Sequence, residues 1–116
     1  MTKITFLVKD GIFWGFHETG HTGFGEEGDD ILCAALSAMT MLILNTLEVA
    51  YECPVDYQID DEKAEITVKC KSALTEFEPD EKKRFAVSGV FYGYFCQIND
   101  LTDEYYDFIE VDTAEE

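Results

Sequence analysis

The sequence predicts an α+β fold in two layers, with helices packed on a mixed or antiparallel sheet and elements in the order ββαββαβ. Three observations predict it. Apolar and polar residues alternate over TKITFLVK and again over IFWGFH, either side of Asp10-Gly11. The stretch ILCAALSAMTMLILNTLEVA is rich in Ala, Leu and Met and reads as a helix. Strand and helix patterns do not alternate one by one, as a sheet of βαβ crossovers would require.

Each element has its own signal. In the first strand Ile4, Phe6 and Val8 share a face, and Asp10-Gly11 suits a two-residue hairpin turn into IFWGFH. ETGHTGFGEEG follows, with Gly20, Gly23, Gly25 and Gly28, which favours a loop and penalises a helix. Asp29 or Asp30 then caps the helix over residues 31–50, which is apolar nearly all round and must be covered by the sheet or by a second subunit. After Cys53-Pro54, VDYQI and AEITVKC form a second hairpin across the acidic turn DDEK. Pro79 marks the start of a second helix, whose apolar face carries Val87, Val90, Phe91, Tyr94, Ile98 and Leu101 at helical spacing. YDFIEVD alternates as a last strand, and residues 112–116 read as a frayed tail. No linker or repeat interrupts this order, so residues 1–116 are expected to form a single domain.

Bulk properties narrow the function. A chain of 116 residues that is 47% hydrophobic has material for one packed core. Asp and Glu outnumber Lys and Arg by 25 to 8, giving a formal net charge of −17. Such a surface repels nucleic acid and anionic membranes, serves solubility, and attracts basic partners. The N-terminus lacks the features of a signal peptide, and no apolar run is expected to reach the length that spans a bilayer, so a soluble, cytoplasmic protein is expected. Cys33, Cys53, Cys70 and Cys96 contain no C-x-x-C pair, which indicates neither a disulfide framework nor a zinc ribbon.

HETGH, residues 17–21, has the letters of a zinc-peptidase motif. That chemistry needs a helix, which sets both histidines on one face. Here the letters end a strand and contain Gly20, and His17 and His21 are the only histidines. No metal and no cofactor is therefore expected. A cysteine site suits the sequence better. Cys33 lies in the first turn of the helix, where free backbone N–H groups and the helix dipole favour a thiolate. His21 lies on the glycine loop just before that helix, within reach as a general base or ion-pair partner. The same N–H groups offer an oxyanion site. Asp30 either orients His21 or caps the helix, and Ser37 lies one turn beyond Cys33 on the same face. The competing reading is a small inert core cysteine beside a surface histidine.

The run GHTGFGEEGDDILCAALSAM resembles the signature of the ribosomal-processing cysteine protease family Prp, in which a Gly-His pair is followed by a glycine-containing loop and an Asp-Ile/Val-x-Cys-Ala-Ala-x-Ser helix start. Gly20, His21, Gly28, Asp30, Cys33, Ala34, Ala35 and Ser37 carry the match, and Thr22 stands where alanine is common. The resemblance implies a cysteine endopeptidase that removes an N-terminal extension from large ribosomal subunit protein twenty-seven, cutting after an aromatic residue. It implies Cys33 as nucleophile, His21 as base, Asp30, Ser37 and Gly20 in support, and a homodimer. A basic ribosomal substrate agrees with the charge of −17. The alternative is a non-enzymatic acidic adaptor that binds a basic ribosomal protein during assembly, with Cys33 buried.

The remaining features have bland readings. Cys53, Cys70 and Cys96 are expected to be structural. Trp14, Phe16, Phe91, Tyr92, Tyr94 and Phe95 are expected to pack a core rather than line a substrate pocket. The glycine loop from Gly20 to Gly28 reads as a gate over a peptide rather than a plain linker.

Overall fold

The computed structural model describes residues 1–25 and 30–116. Strands β1 (Thr2–Lys9) and β2 (Ile12–Thr19) form the first hairpin. Asp10 and Gly11 both have positive φ, 52° and 80°, the mirror-image turn whose twist matches that of the flanking strands. Helix α1 (Ile31–Asn45) continues into a π-helical turn (Thr46–Ala50), and β3 (Asp56–Asp60) and β4 (Glu65–Lys69) form the second hairpin. A 3-10 turn (Lys71–Ala73) leads to α2 (Glu81–Tyr105) and β5 (Ile109–Glu115). The five strands lie in the order β3-β4-β2-β1-β5. Only β5 runs parallel to its neighbour, because the chain crosses back along α2 before joining β1.

The core lies between sheet and helices. Ile4, Phe6, Phe16 and Val68 of the sheet are fully buried, as are Val87, Phe91 and Ile98 of α2. Phe16 meets Phe91 and Tyr94 edge-on at 6.2 and 5.1 Å between ring centroids. Phe91, Tyr94 and Phe95 of α2 therefore belong to the core rather than to a substrate pocket, while Phe85 and Tyr92 of the same helix are exposed. A bulge shifts the β1–β2 register between Leu7 and Val8. Leu7 becomes buried and Val8 only half-buried, where plain alternation put Val8 inside.

One expectation is refined and two are corrected. The long helix is not uniform: the Thr46 hydroxyl donates to the Leu42 carbonyl at 2.7 Å and the last turn widens to π geometry. Helix and π turn together, Ile31–Ala50, are long and apolar enough to cross a membrane by length and composition, contrary to the expectation that no run reaches that length. In this fold one face of that stretch, through Leu32, Leu36, Ile43, Leu44 and Leu47, joins the core. Residues 112–116 do not fray as expected: β5 pairs with β1 as far as Val8↔Glu115, and the Glu116 N–H donates to the Val8 carbonyl at 2.8 Å.

Candidate active site

The end of β2 leads straight into the site. Gly20 has φ +86°, donates its N–H to the Ala64 carbonyl at 2.9 Å and accepts from the Thr2 hydroxyl at 3.2 Å. A Cβ at Gly20 would run into the Met1 carbonyl oxygen. Only glycine suits this conformation in this space, and the backbone before His21 is pinned between β1 and the β3–β4 hairpin.

Across from it α1 begins. Asp30 is the N-cap, with extended backbone, and its Oδ1 accepts from the N–H groups of Leu32 at 3.0 Å and Cys33 at 2.9 Å. Asp29, the other candidate cap, lies outside the described residues, as does Gly28 of the glycine loop. Cys33 is thereby held in the third helical position, half-buried. The amide of Ala34 bonds to the Asp30 carbonyl. The amides of Leu32, Cys33 and Ala34 are thus engaged by the cap residue, where the expectation was of free donors for an oxyanion in this turn.

Thr22 joins the two halves. It is almost fully buried, its N–H donates to the Cys33 sulfur at 3.4 Å, and its hydroxyl lies 3.4 Å from the same sulfur while donating to Asp30 Oδ2. Burial works to raise the Asp30 carboxyl, but the hydrogen bonds from the Thr22 hydroxyl and the Cys33 N–H outweigh it and hold the group at about 2. Asp30 therefore acts as cap and as anchor of the Thr22 segment. Thr22 was visible in the sequence only as an unusual hydroxyl beside the histidine; its role needed the fold.

His21, Cys33, Asp30, Ser37 and Gly20 all line one cleft of about 590 Å³, closed on its far side by Ile59, Asp60 and Asp61 of the second hairpin. His17 does not line it. Strand alternation turns His17 to the sheet face opposite Phe16 and Glu18, where its Nδ1 lies 2.6 Å from the Thr67 hydroxyl. The two histidines of HETGH thus diverge, as a strand dictates and a zinc helix would not. Among the other cysteines, Cys53 and Cys70 are buried, and Cys96 lies exposed on α2 rather than in the core.

Glu18 is the second residue that sequence reasoning passed over. It occupies an inward position of β2, between Ile4 and Ile66 on the neighbouring strands. It is 7% exposed and its Oε1 accepts from the Tyr94 hydroxyl at 3.0 Å. Burial pushes its carboxyl above the usual range, partly offset by that hydrogen bond. Burial and the adjacent Glu18 push the Tyr94 hydroxyl far above its own. The signal was present: a glutamate stands where alternation calls for an apolar side chain.

The chain is similar to solved structures throughout its length. SMU.848 from Streptococcus mutans is 32% identical, covers 100% of this chain and 96% of its own, and superposes with a TM-score of 0.77. The ribosomal processing protease Prp from S. aureus, in complex with a covalently linked product peptide, shares the fold at 19% identity and a TM-score of 0.81, over 98% of this chain and 100% of that one. The same protease with a substrate peptide superposes at 0.76 with 18% identity, over 98% and 100% of the two chains. No curated protein matches. The family model for the cysteine protease Prp matches residues 1–110, and the chain belongs to that family.

Proposed function

We propose that this protein is an endopeptidase that removes the N-terminal extension of large ribosomal subunit protein twenty-seven, with Cys33 as nucleophile and His21 as its acid and base. The observation that carries this reading is one cleft lined by both side chains, with the sulfur held by Thr22 and by a capped helix start. Cys33 Sγ attacks the scissile carbonyl, His21 protonates the departing amine, and a water deprotonated by His21 hydrolyses the thioester. Ser37 and Gly20 support the site, Ser37 from the cleft wall and Gly20 by the turn that presents His21. The substrate is basic and the enzyme carries −17, which favours encounter. Residues 1–116 act as one catalytic domain in the cytoplasm, where ribosomes are assembled, and need no cofactor.

We further propose a homodimer through α1. Ile31, Met41 and Leu42 of that helix are exposed, and Leu42 borders an apolar groove with Met39, Ile43, Gly89, Val90 and Gly93. A second copy removes this surface from water.

The test mixes the host's large-subunit protein twenty-seven, with its native N-terminus, with this protein and with Cys33→Ala, and reads product masses. A single N-terminal cut made only with the cysteine intact is the expected result. No cut by either protein, with an extension present, overturns the protease reading in favour of an adaptor. Alkylation of Cys33 that is fast in the folded protein and slowed in His21→Ala separates an active from an inert thiol.

A further inference from the structure

The cleft holds a carboxyl that the proposed chemistry does not use. Glu18 reaches it from the floor, between the isoleucines of β1 and β4. One oxygen is held by Tyr94, and the other has no partner among the described residues. The wall beside it carries Asp60, Asp61 and Glu65, and no lysine or arginine lines the cleft among the described residues. A carboxyl between apolar neighbours is poorly solvated, so a ligand donor that reaches its free oxygen is held more strongly than it would be by an exposed carboxylate. An acidic or purely apolar side chain would leave the oxygen unpaired, and among donors the acidic wall favours one with positive charge.

We infer that Glu18 is the floor of a cation-selective subsite, which takes a lysine or arginine side chain of the bound peptide close to the bond that is cut. The aliphatic stem of that side chain lies along Ile59 and Ile66, which line the same cleft, and its head reaches Glu18 Oε2 with Asp60 and Asp61 nearby. Tyr94 orients the carboxyl from α2, so specificity rests on a buried hydrogen bond rather than on the exposed acids of the rim, Asp60 and Asp61. A site built to receive a donor discriminates strongly against an isostere that lacks it.

This subsite rests on the reading of the cleft as a peptide site, but its test does not require cleavage. Short fluorescent peptides of constant sequence, with one lysine, norleucine or glutamine moved along the chain, are titrated onto Cys33→Ala and onto Cys33→Ala/Glu18→Gln. At one position the lysine peptide is expected to bind at least about tenfold tighter than the norleucine peptide, with the ratio falling towards one when Glu18 is glutamine. Equal binding of the two peptides at every position, a ratio unchanged by Glu18→Gln, or no binding of any peptide overturns the inference. Should the double variant unfold, the Glu18 carboxyl resonance of Cys33→Ala decides instead: saturation with the lysine peptide lowers its titration midpoint relative to the norleucine peptide, and an equal midpoint overturns the subsite. Lysine-selective binding without Cys33-dependent cleavage of the ribosomal protein would keep the subsite and remove the protease.

Discussion

Asp30, Thr22 and Gly20 show how few atoms hold the site. Asp30 caps α1 through two amides and receives the Thr22 hydroxyl, so removing its carboxyl releases the helix start and the segment after His21 together. Asp30→Ala is expected to lower stability by about 1 kcal/mol, the usual worth of an N-cap, read by urea unfolding at neutral pH. The carboxyl is depressed from 3.8 to about 2 in the folded state. Its stabilisation is therefore complete above the unfolded value and lost as pH falls from about 3.8 towards 2. The gap between wild type and Asp30→Ala should narrow over that window. A gap that stays constant down to the lower pH would contradict the assignment. At Gly20, positive φ and the nearby Met1 carbonyl act together, so Gly20→Ala should lose about 1–3 kcal/mol and most peptidase activity. Full stability in that variant would show that the turn can relax.

At the scale of elements, the hairpin turn, the capped helix and the aromatic stripe of α2 were legible because each is a local pattern. Asp10-Gly11 demands its turn, the Asp29-Asp30 pair supplies a cap, and Val87, Phe91, Tyr94 and Ile98 have their shared face. The β-bulge and the π turn were not legible, since each depends on a contact the sequence does not display: the shifted register opposite Leu7, and the Thr46 hydroxyl on the Leu42 carbonyl. Helix α1 carries the prediction that belongs here. Leu42 is 66% exposed on an apolar helix. Leu42→Asp should convert a dimer into a monomer in sedimentation equilibrium while the far-ultraviolet circular dichroism stays unchanged. An unchanged mass, or a wild type that is already monomeric, would exclude this face as the interface.

For the whole molecule, charge is the dominant feature. A formal charge of −17 over 116 residues creates a long-range field that attracts a basic substrate and is screened by salt. For the proposed ribosomal substrate, kcat/KM should fall several-fold between low salt and about 0.5 M, mostly through KM, while a short neutral peptide responds little. Equal salt dependence for both substrates would locate the effect in the protein itself rather than in encounter. The same acidity reappears at short range in the cleft, where Glu18, Asp60 and Asp61 converge from separate strands and their turn.

By itself the sequence determined the element order, the hairpins, a cap at Asp29 or Asp30 and the company of Gly20, His21, Cys33 and Ser37, because these follow from neighbours within a turn or two and from one contiguous signature. Only the tertiary structure decided what β2 does with successive residues: His17 goes to the outer face, Glu18 to the floor of the cleft, and Gly20 turns the chain towards Cys33. It also turned Thr22 from an unusual neighbour into the link between Cys33 and Asp30. The physical reason is range. Propensity, capping and alternation act through adjacent backbone, whereas the partner of a buried carboxyl or a sulfur is set by strands and helices that meet only when the chain has folded.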